Sequence, residues 1–374
     1  ETAFNDPIDG IALVNSVKEA RPAVSGDGSL AVFADGAHDV CVVGTDDSST
    51  LECTGNDGIV HSVAISPNGN LVAVVLRDPL TGQADNKITI LDIARDTTRS
   101  YDLLAPVLDG NPVDTVLFAD SMVFTPDSKQ LIYDALSEIR FGGGFSEQRW
   151  SIFRINLPTD ATTVLVPPIE GLNFGNPNIS RTSNRYLTFD AQEIGTGNTA
   201  VVNMDLFTGD FGIVGTVGQT WGRPCFNGDD SAVIFAAPDT ITGTFTGHSL
   251  FRQELTANRL ATNGQRTLWL PDATVGVIYR RGAFVSSNMV PSAQLTSPIN
   301  HGTYTAPANL TLDAKASDAD GAVAKVEFYN GGNKLGESAG PQYTFAWTSV
   351  PAGQYRLFAR AIDNLGGIGD STVI

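Results

Sequence analysis

Along this chain, apolar and polar residues alternate in short runs that Gly, Pro, Asn and Asp interrupt every few positions. That pattern predicts β-strands joined by tight turns rather than helices. One phrase recurs within it: an apolar residue, then Ser, Thr or Asn, a tight polar turn, and an apolar run. It begins at Val24, Ile65 and Phe124, in looser form at Ile179 (with one extra residue) and Phe226, and in degraded form at Leu270. Counted from Ser25 through Ser66, Thr125, Ser180 and Asn227 to Leu270, the steps are 41, 59, 55, 47 and 43 residues. Each step has room for a group of short strands.

In the phrase, Pro fixes φ, Asn or Asp caps the turn with its side chain, and Gly accepts a left-handed backbone, so it predicts a strand, a turn and a second strand. A third alternating run follows at residues 87–93, 150–156, 200–206 and 248–254, and a fourth in most copies, as at 163–167. A four-stranded antiparallel unit of this kind has two faces to bury and must stack on its neighbours, which predicts the blades of a propeller. The repeated Ser-Pro-Asp-Gly-like turn resembles the WD-like propeller repeats of the TolB type, over about residues 4–289. The resemblance implies that an early strand, at residues 10–15, completes the last blade. The reading gives a six-bladed β-propeller, with five or seven blades as alternatives because the copy at Leu270 is degraded.

After Pro291 the phrase stops. Runs at 309–317, 323–329, 343–347 and 354–363, separated by Gly, Asn and Pro turns, predict a small β-sandwich. The turns at Asp318, Asn330, Pro351 and Asp363 resemble those of bacterial Ig-like modules appended to exported enzymes and adhesins, without the Cys and Trp spacing of antibody domains. The expected fold is therefore all-β: a propeller in residues 1–290 and a C-terminal Ig-like β-sandwich in 291–374.

Composition narrows the partners. Against 41 acidic residues stand 23 basic ones, a formal charge of −18, which argues against nucleic acid. Residues 291–374 hold 7 acidic and 5 basic side chains, so the negative field belongs to the propeller. No apolar run approaches the roughly 18 residues of a spanning helix, so no membrane span is expected. The chain opens on Glu1, Thr2, Ala3 and Phe4 rather than a basic leader and reads as a mature chain. Cys41 and Cys53 flank a polar tip at residues 46–49. Two readings of the pair stand: a cross-strand disulfide, which favours an exported setting, or two buried thiols on neighbouring strands. Cys225, between Pro224 and Phe226, reads as a core residue. The expected location is secreted or cell-surface, in a bacterium.

Loop length separates the two faces of such a propeller. The first-to-second turns are about four residues in every copy, whereas second-to-third connections cover 77–86, 135–149, 192–198 and 237–247, and links between blades cover 103–120 and 167–176. Long loops on a rigid scaffold are where binding concentrates. The expected ligand-binding residues on that face are Arg77, Arg140, Arg149, Trp150, Trp221, Arg223 and His248, with Phe141, Phe145, Phe174 and Phe245 beside them. Rings stack on the apolar faces of sugars and peptides while guanidiniums and carboxylates orient polar groups. Packing between blades competes with that role for every ring, and a solvated loop for every charge.

Catalytic motifs are mostly missing from the sequence. His38, His61, His248 and His301 stand apart, in no metal-ligand spacing. There is no nucleophile elbow or Walker loop, and the glycines at 142–144 have no helix after them. Asp78, Asp114, Asp120, Glu138, Glu147, Glu170, Glu193 and Asp239 all fall near the long-loop face, so carboxylate chemistry has candidates but no singled-out pair. No cofactor or metal is implied; Asp318 and Asp320 offer two carboxylates to Ca²⁺, against the plainer reading of a turn. The leading expectation is a secreted recognition protein that binds an extracellular glycan or protein on the loop-rich face. The alternative is an extracellular carbohydrate-active enzyme, hydrolase or lyase, working in the central opening; the sequence leaves open whether any reaction is catalysed.

Overall fold

The computed structural model describes residues 23–26, 28–34, 39–44, 51–54, 59–78, 80–81, 83–103, 107–108, 111–112, 115–141, 145–238, 248–270, 291–318, 322–340, 342–364 and 367–374. Among the described residues there is no helix, and strands form antiparallel sheets throughout. The first four-stranded sheet runs Ala23–Val24, Leu30–Ala34, Val40–Gly44 and Leu51–Thr54 (β1 to β4). The second is Val60–Ile65, Leu71–Leu76, Lys87–Asp92 and Thr97–Asp102 (β5 to β8). A two-stranded ribbon, Val107–Leu108 with Asn111–Pro112 (β9 and β10), precedes the third sheet of Thr115–Phe124, Gln130–Phe141, Phe145–Asn156 and Ala161–Val166 (β11 to β14). The fourth is Leu172–Ile179, Tyr186–Glu193, Thr199–Asp205 and Phe211–Gly218 (β15 to β18), and the fifth Cys225–Phe226, Ala232–Pro238, His248–Glu254 and Thr267–Leu270 (β19 to β22).

Within each of these sheets the strands lie side by side in chain order. Successive sheets then stack face to face, because each strand alternates apolar residues to both sides. Val63 and Val74 pack with Val32 and Ala34; Tyr133, Phe153 and Ile155 with Val75, Ile88 and Ile90; Phe174, Leu187 and Phe189 with Ile132 and Ile152; Phe235 and Phe251 with Val201 and Val214. The first strands β5, β11, β15 and β19 are each next to the following one. This is blade-on-blade packing about the innermost strands.

The recurring phrase is one geometry used four times between first and second strands, and the fifth copy, with its extra residue, spans six: Ser180 N–H donates to Tyr186 O at 2.8 Å. The amide of Ser25, Ser66, Thr125 or Asn227 donates to the carbonyl five residues on, at 2.9 to 3.0 Å. The side-chain oxygen of the same residue accepts the amide of Leu30, Leu71, Gln130 or Ala232 in return. Three residues into the turn the backbone is left-handed, at Gly28, Gly69, Ser128 and Asp230, which is why Gly is the favoured occupant. The turns also bond to one another around the molecule. Gly26 N–H donates to Pro67 O at 2.8 Å, Asn68 N–H to Ser128 Oγ at 3.3 Å, and Asn184 Nδ2 to Asp127 Oδ2 at 3.0 Å. Arg181 and Thr182 N–H both donate to the Asp230 carboxylate, at 2.6 and 2.9 Å. This face is thus a hydrogen-bonded belt crossing all five described sheets.

Residues 135–149 depart from the sequence expectation of a long loop. β12 and β13 pair residue for residue from Gln130 opposite Asn156 to Phe141 opposite Phe145, so the segment is a ribbon extending the third sheet. Polar side chains such as Ser137, Glu138, Glu147 and Gln148 hid it, because a ribbon that outgrows its outer neighbour no longer needs an apolar face. Cys41 lies opposite Cys53 in the register of β3 and β4, and the two are joined by a disulfide. Cys225 is buried and takes no part in a disulfide. Two sequence expectations, the outer strand at 10–15 and the copy beginning at Leu270 beyond that residue, lie outside the described residues.

The C-terminal segment is a sandwich of two sheets. One holds Ser292–Ser297, Ala308–Ser317 and Tyr343–Val350 (β23, β24 and β27); the other holds Asn333–Ser338, Val323–Asn330, Leu357–Asp363 and Ile368–Asp370 (β26, β25, β28 and β29). Leu312, Val326, Phe328 and Ala359 form its core. It is docked on the third sheet: Arg360 Nη1 donates to Thr163 Oγ1 at 2.9 Å, Gln130 Nε2 to Ile368 O at 3.4 Å, and Ala161 packs with Tyr329 and Phe358.

Candidate functional site

On the face opposite the belt, the upper ends of the first strands meet the ribbon. His61 in β5 and Asp120 in β11 each stand five residues before the Ser or Thr of their turn. Their neighbouring sheets therefore bring them together, with His61 Nε2 3.4 Å from Asp120 Oδ1. His61 is only 7% exposed and meets Phe118 edge-to-face at 5.2 Å; Phe118 meets Trp150 in the same way at 5.5 Å. β14 stops opposite Ile152, and Trp150 N–H, beyond that point, donates to Asn173 Oδ1 of β15 at 3.1 Å.

Arg149, the neighbour of Trp150, points to the other side of the ribbon with Ser137 and Ser151. It is 3% exposed, and Nη2 donates to Glu147 Oε2 at 2.6 Å. That hydrogen bond holds the Glu147 carboxyl below its ordinary range. Arg149 Nε and Nη1 are buried and have no hydrogen-bond partner among the described residues.

A second cluster lies on the next two first strands. Asp134 accepts Ser121 N–H and Asn176 N–H, both at 2.7 Å, and so fixes the bulges of β11 and β15. Asp190, its counterpart one sheet on, accepts Arg223 N–H at 2.8 Å and Asn176 Nδ2 at 3.1 Å. Asn176 and Arg223 are both left-handed, each preceded by a glycine in close quarters. A Cβ on Gly175 would sit 3.4 Å from the Trp221 ring, so that ring lies directly over the bulge.

The seven residues expected from sequence divide accordingly. Trp150 joins His61, Phe118 and Asp120, while Arg149 lies on the other side of the ribbon; Trp221 and Arg223 join Asn176 and Asp190. Asn173 and Asp134 connect the two groups. Arg77 sits at the end of β6, bridged to Ala84, and His248 opens β21 opposite Pro238. Arg140 lies in β12 opposite Ser146. Phe174 is a correction: it is 5% exposed and packs edge-on against Phe189 at 5.9 Å, inside the core between the third and fourth sheets. Phe245, Asp114 and Asp239 lie outside the described residues, as does Asp320 of the Asp318 turn. Among the described residues no group of three or more His, Cys, Asp and Glu is gathered for a metal, and no helix is long and apolar enough to cross a membrane. Sequence reasoning treated His61 as isolated; its shared offset with Asp120 from the repeated turn was the available signal.

Residues 291–359 match the family model of the bacterial Ig domain. Stacked four-stranded antiparallel sheets, ordered like the blades of a propeller, are thus followed by an Ig-like domain. Among solved structures the chain is similar to TolB from Acinetobacter baumannii, at 16% identity and a TM-score of 0.46, over 62% of this chain and 51% of that one. It thus spans about half the length of that TolB chain. It is also similar to the oligogalacturonate lyase of Vibrio parahaemolyticus, at 8% identity and a TM-score of 0.41, over 64% of this chain and 63% of that one. The fibronectin(III)-like modules of Clostridium thermocellum CbhA match 22% of this chain and 88% of their own, at 28% identity and a TM-score of 0.21. No curated protein matches the sequence.

Proposed function

We propose that this chain is a secreted bacterial recognition protein, a six-bladed propeller in residues 1–290 with an Ig-like domain in 291–374, binding a glycan or protein ligand on the face opposite the turn belt. One observation carries the reading: the two faces differ in what their polar groups do. On the belt face the turn amides and side chains bond to each other. On the other, the Trp150, Trp221 and Arg223 side chains are half-buried. Half-exposed rings beside the half-exposed Arg223 guanidinium suit a ligand with flat apolar patches and hydroxyl or carbonyl acceptors. Arg77, Arg140, Arg149, Trp150, Trp221, Arg223 and His248 form its binding set, with His61 and Asp120 added.

The second reading, a polysaccharide hydrolase or lyase, is favoured by one pair alone. His61 and Asp120 at 3.4 Å are a base and an acid within reach of one proton, close to Trp150 through Phe118. Incubation with a panel of acidic and neutral polysaccharides, followed by sizing and ultraviolet absorbance of the products, separates the two. Ligand retained at full length supports recognition; shortened or unsaturated products that disappear in His61→Ala establish the enzyme instead.

A further inference from the structure

Between the outer strands of the third and fourth sheets and the β25–β26 hairpin of the Ig-like domain lies a cavity of about 390 Å³. Its walls include Arg154, Met204, Leu206, Thr208, Lys325 and Lys334. The volume is that of a small-molecule site.

The charges around it are nearly all spoken for. Lys325 and Lys334 each contact both Glu327 and Glu337, at 2.6 to 3.0 Å. Arg360 grips Asp370 through two hydrogen bonds of 2.6 and 2.7 Å, with both side chains fully buried. Arg154 is the exception. It is 3% exposed and forms no ion pair with a described residue; its hydrogen bond from Nη1 to Gln130 Oε1 is long, at 3.4 Å, and Nε has no partner among the described residues. Burial, reinforced by the neighbouring Arg360, pushes its guanidinium down to about 10. Asp370 and Glu327 offset only part of that effect; a buried cation with no ion-pair partner is costly, and a bound anion lessens the cost.

We propose that this interdomain cavity binds a small carboxylate, which pairs with Arg154 and lays its body against Met204, Leu206 and Thr208. A single negative charge balances the site, because the two lysines and Arg360 already have carboxylate partners. A planar carboxylate also matches the planar donor fork of a guanidinium. Such a ligand bridges the propeller and the Ig-like domain, so it also stabilises their docking.

The test is calorimetric titration of the full chain with acetate, L-lactate and D-glucuronate at constant ionic strength, with D-glucose and inorganic phosphate as controls. At least one carboxylate should bind, glucose and phosphate should not, and Arg154→Gln should weaken binding by about tenfold or more. Arg154→Gln removes an unpaired buried charge, so it should fold with an unchanged or higher melting temperature. Thr208→Phe, which fills the cavity and leaves Arg154 in place, should abolish binding as well. The proposal is overturned if no carboxylate binds, if phosphate binds equally well, or if Arg154→Gln binds like the wild type. Carboxylate binding lost in Trp150→Ala but kept in Arg154→Gln also overturns it and assigns the ligand to the loop face.

Discussion

Arg149 and Trp150 are consecutive in β13 and do different things, because alternate residues of a strand face opposite sides. Trp150 is half-buried beside Phe118, whereas Arg149 is buried on the other side of the ribbon, paired with Glu147. Replacing Trp150 or Arg223 by Ala should therefore cost about 1–3 kcal/mol of ligand affinity while leaving the melting temperature close to wild type. Arg149→Ala should lower both, since it also empties a buried site; calorimetric melts alongside binding isotherms distinguish the cases. A second residue-scale expectation concerns Glu327. Burial alone would raise its pKa, but Lys334, Lys325 and Arg360 hold it at about 2. Its folded value lies below an unfolded one of about 4.3, so its contribution is present above that pH and is lost as pH falls toward 2. Melts between about pH 5 and pH 2 should lose stability, and Glu327→Gln should flatten that slope.

At the scale of elements, the turns were legible because their chemistry is local. Ser25, Ser66, Thr125, Ser180 and Asn227 each open a turn between a first and a second strand, as the phrase predicts. The ribbon of β12 and β13 was not legible, since its pairing depends on register between strands whose polar residues give no apolar signal. The His61–Asp120 pair was missed for a related reason: it joins two strands 59 residues apart, and only the common offset from the turn places both at the same height. The interlocked turns give a direct expectation. Gly69 is left-handed, with φ of 74°, and a Cβ on Gly26 would approach Pro67 to 2.9 Å. Gly69→Val should destabilise the fold by about 1–2 kcal/mol, and Gly26→Ala should also destabilise it. Both should leave affinity intact when measured well below the melting point.

For the whole molecule, the sequence indicated two β-rich parts but not how they sit. The Ig-like domain is no free spacer: Arg360, a residue with no telltale spacing, crosses to Thr163 and carries its own buried partner in Asp370. The Cys41–Cys53 bond closes a short hairpin, so reducing it should cost a modest amount, about 1–3 kcal/mol. Alkylation of the denatured chain without reductant should label Cys225 alone, as read by intact mass. The central claim is that recognition belongs to the face opposite the turn belt. It is tested most directly by one binding array of glycans and extracellular proteins, probed in parallel with wild type, Trp150→Ala, Trp221→Ala, Arg223→Ala and Gly69→Val. The account predicts a ligand that wild type and Gly69→Val retain, and that the other three variants release while still folded. A ligand held equally by all five, or lost only in Gly69→Val, contradicts it.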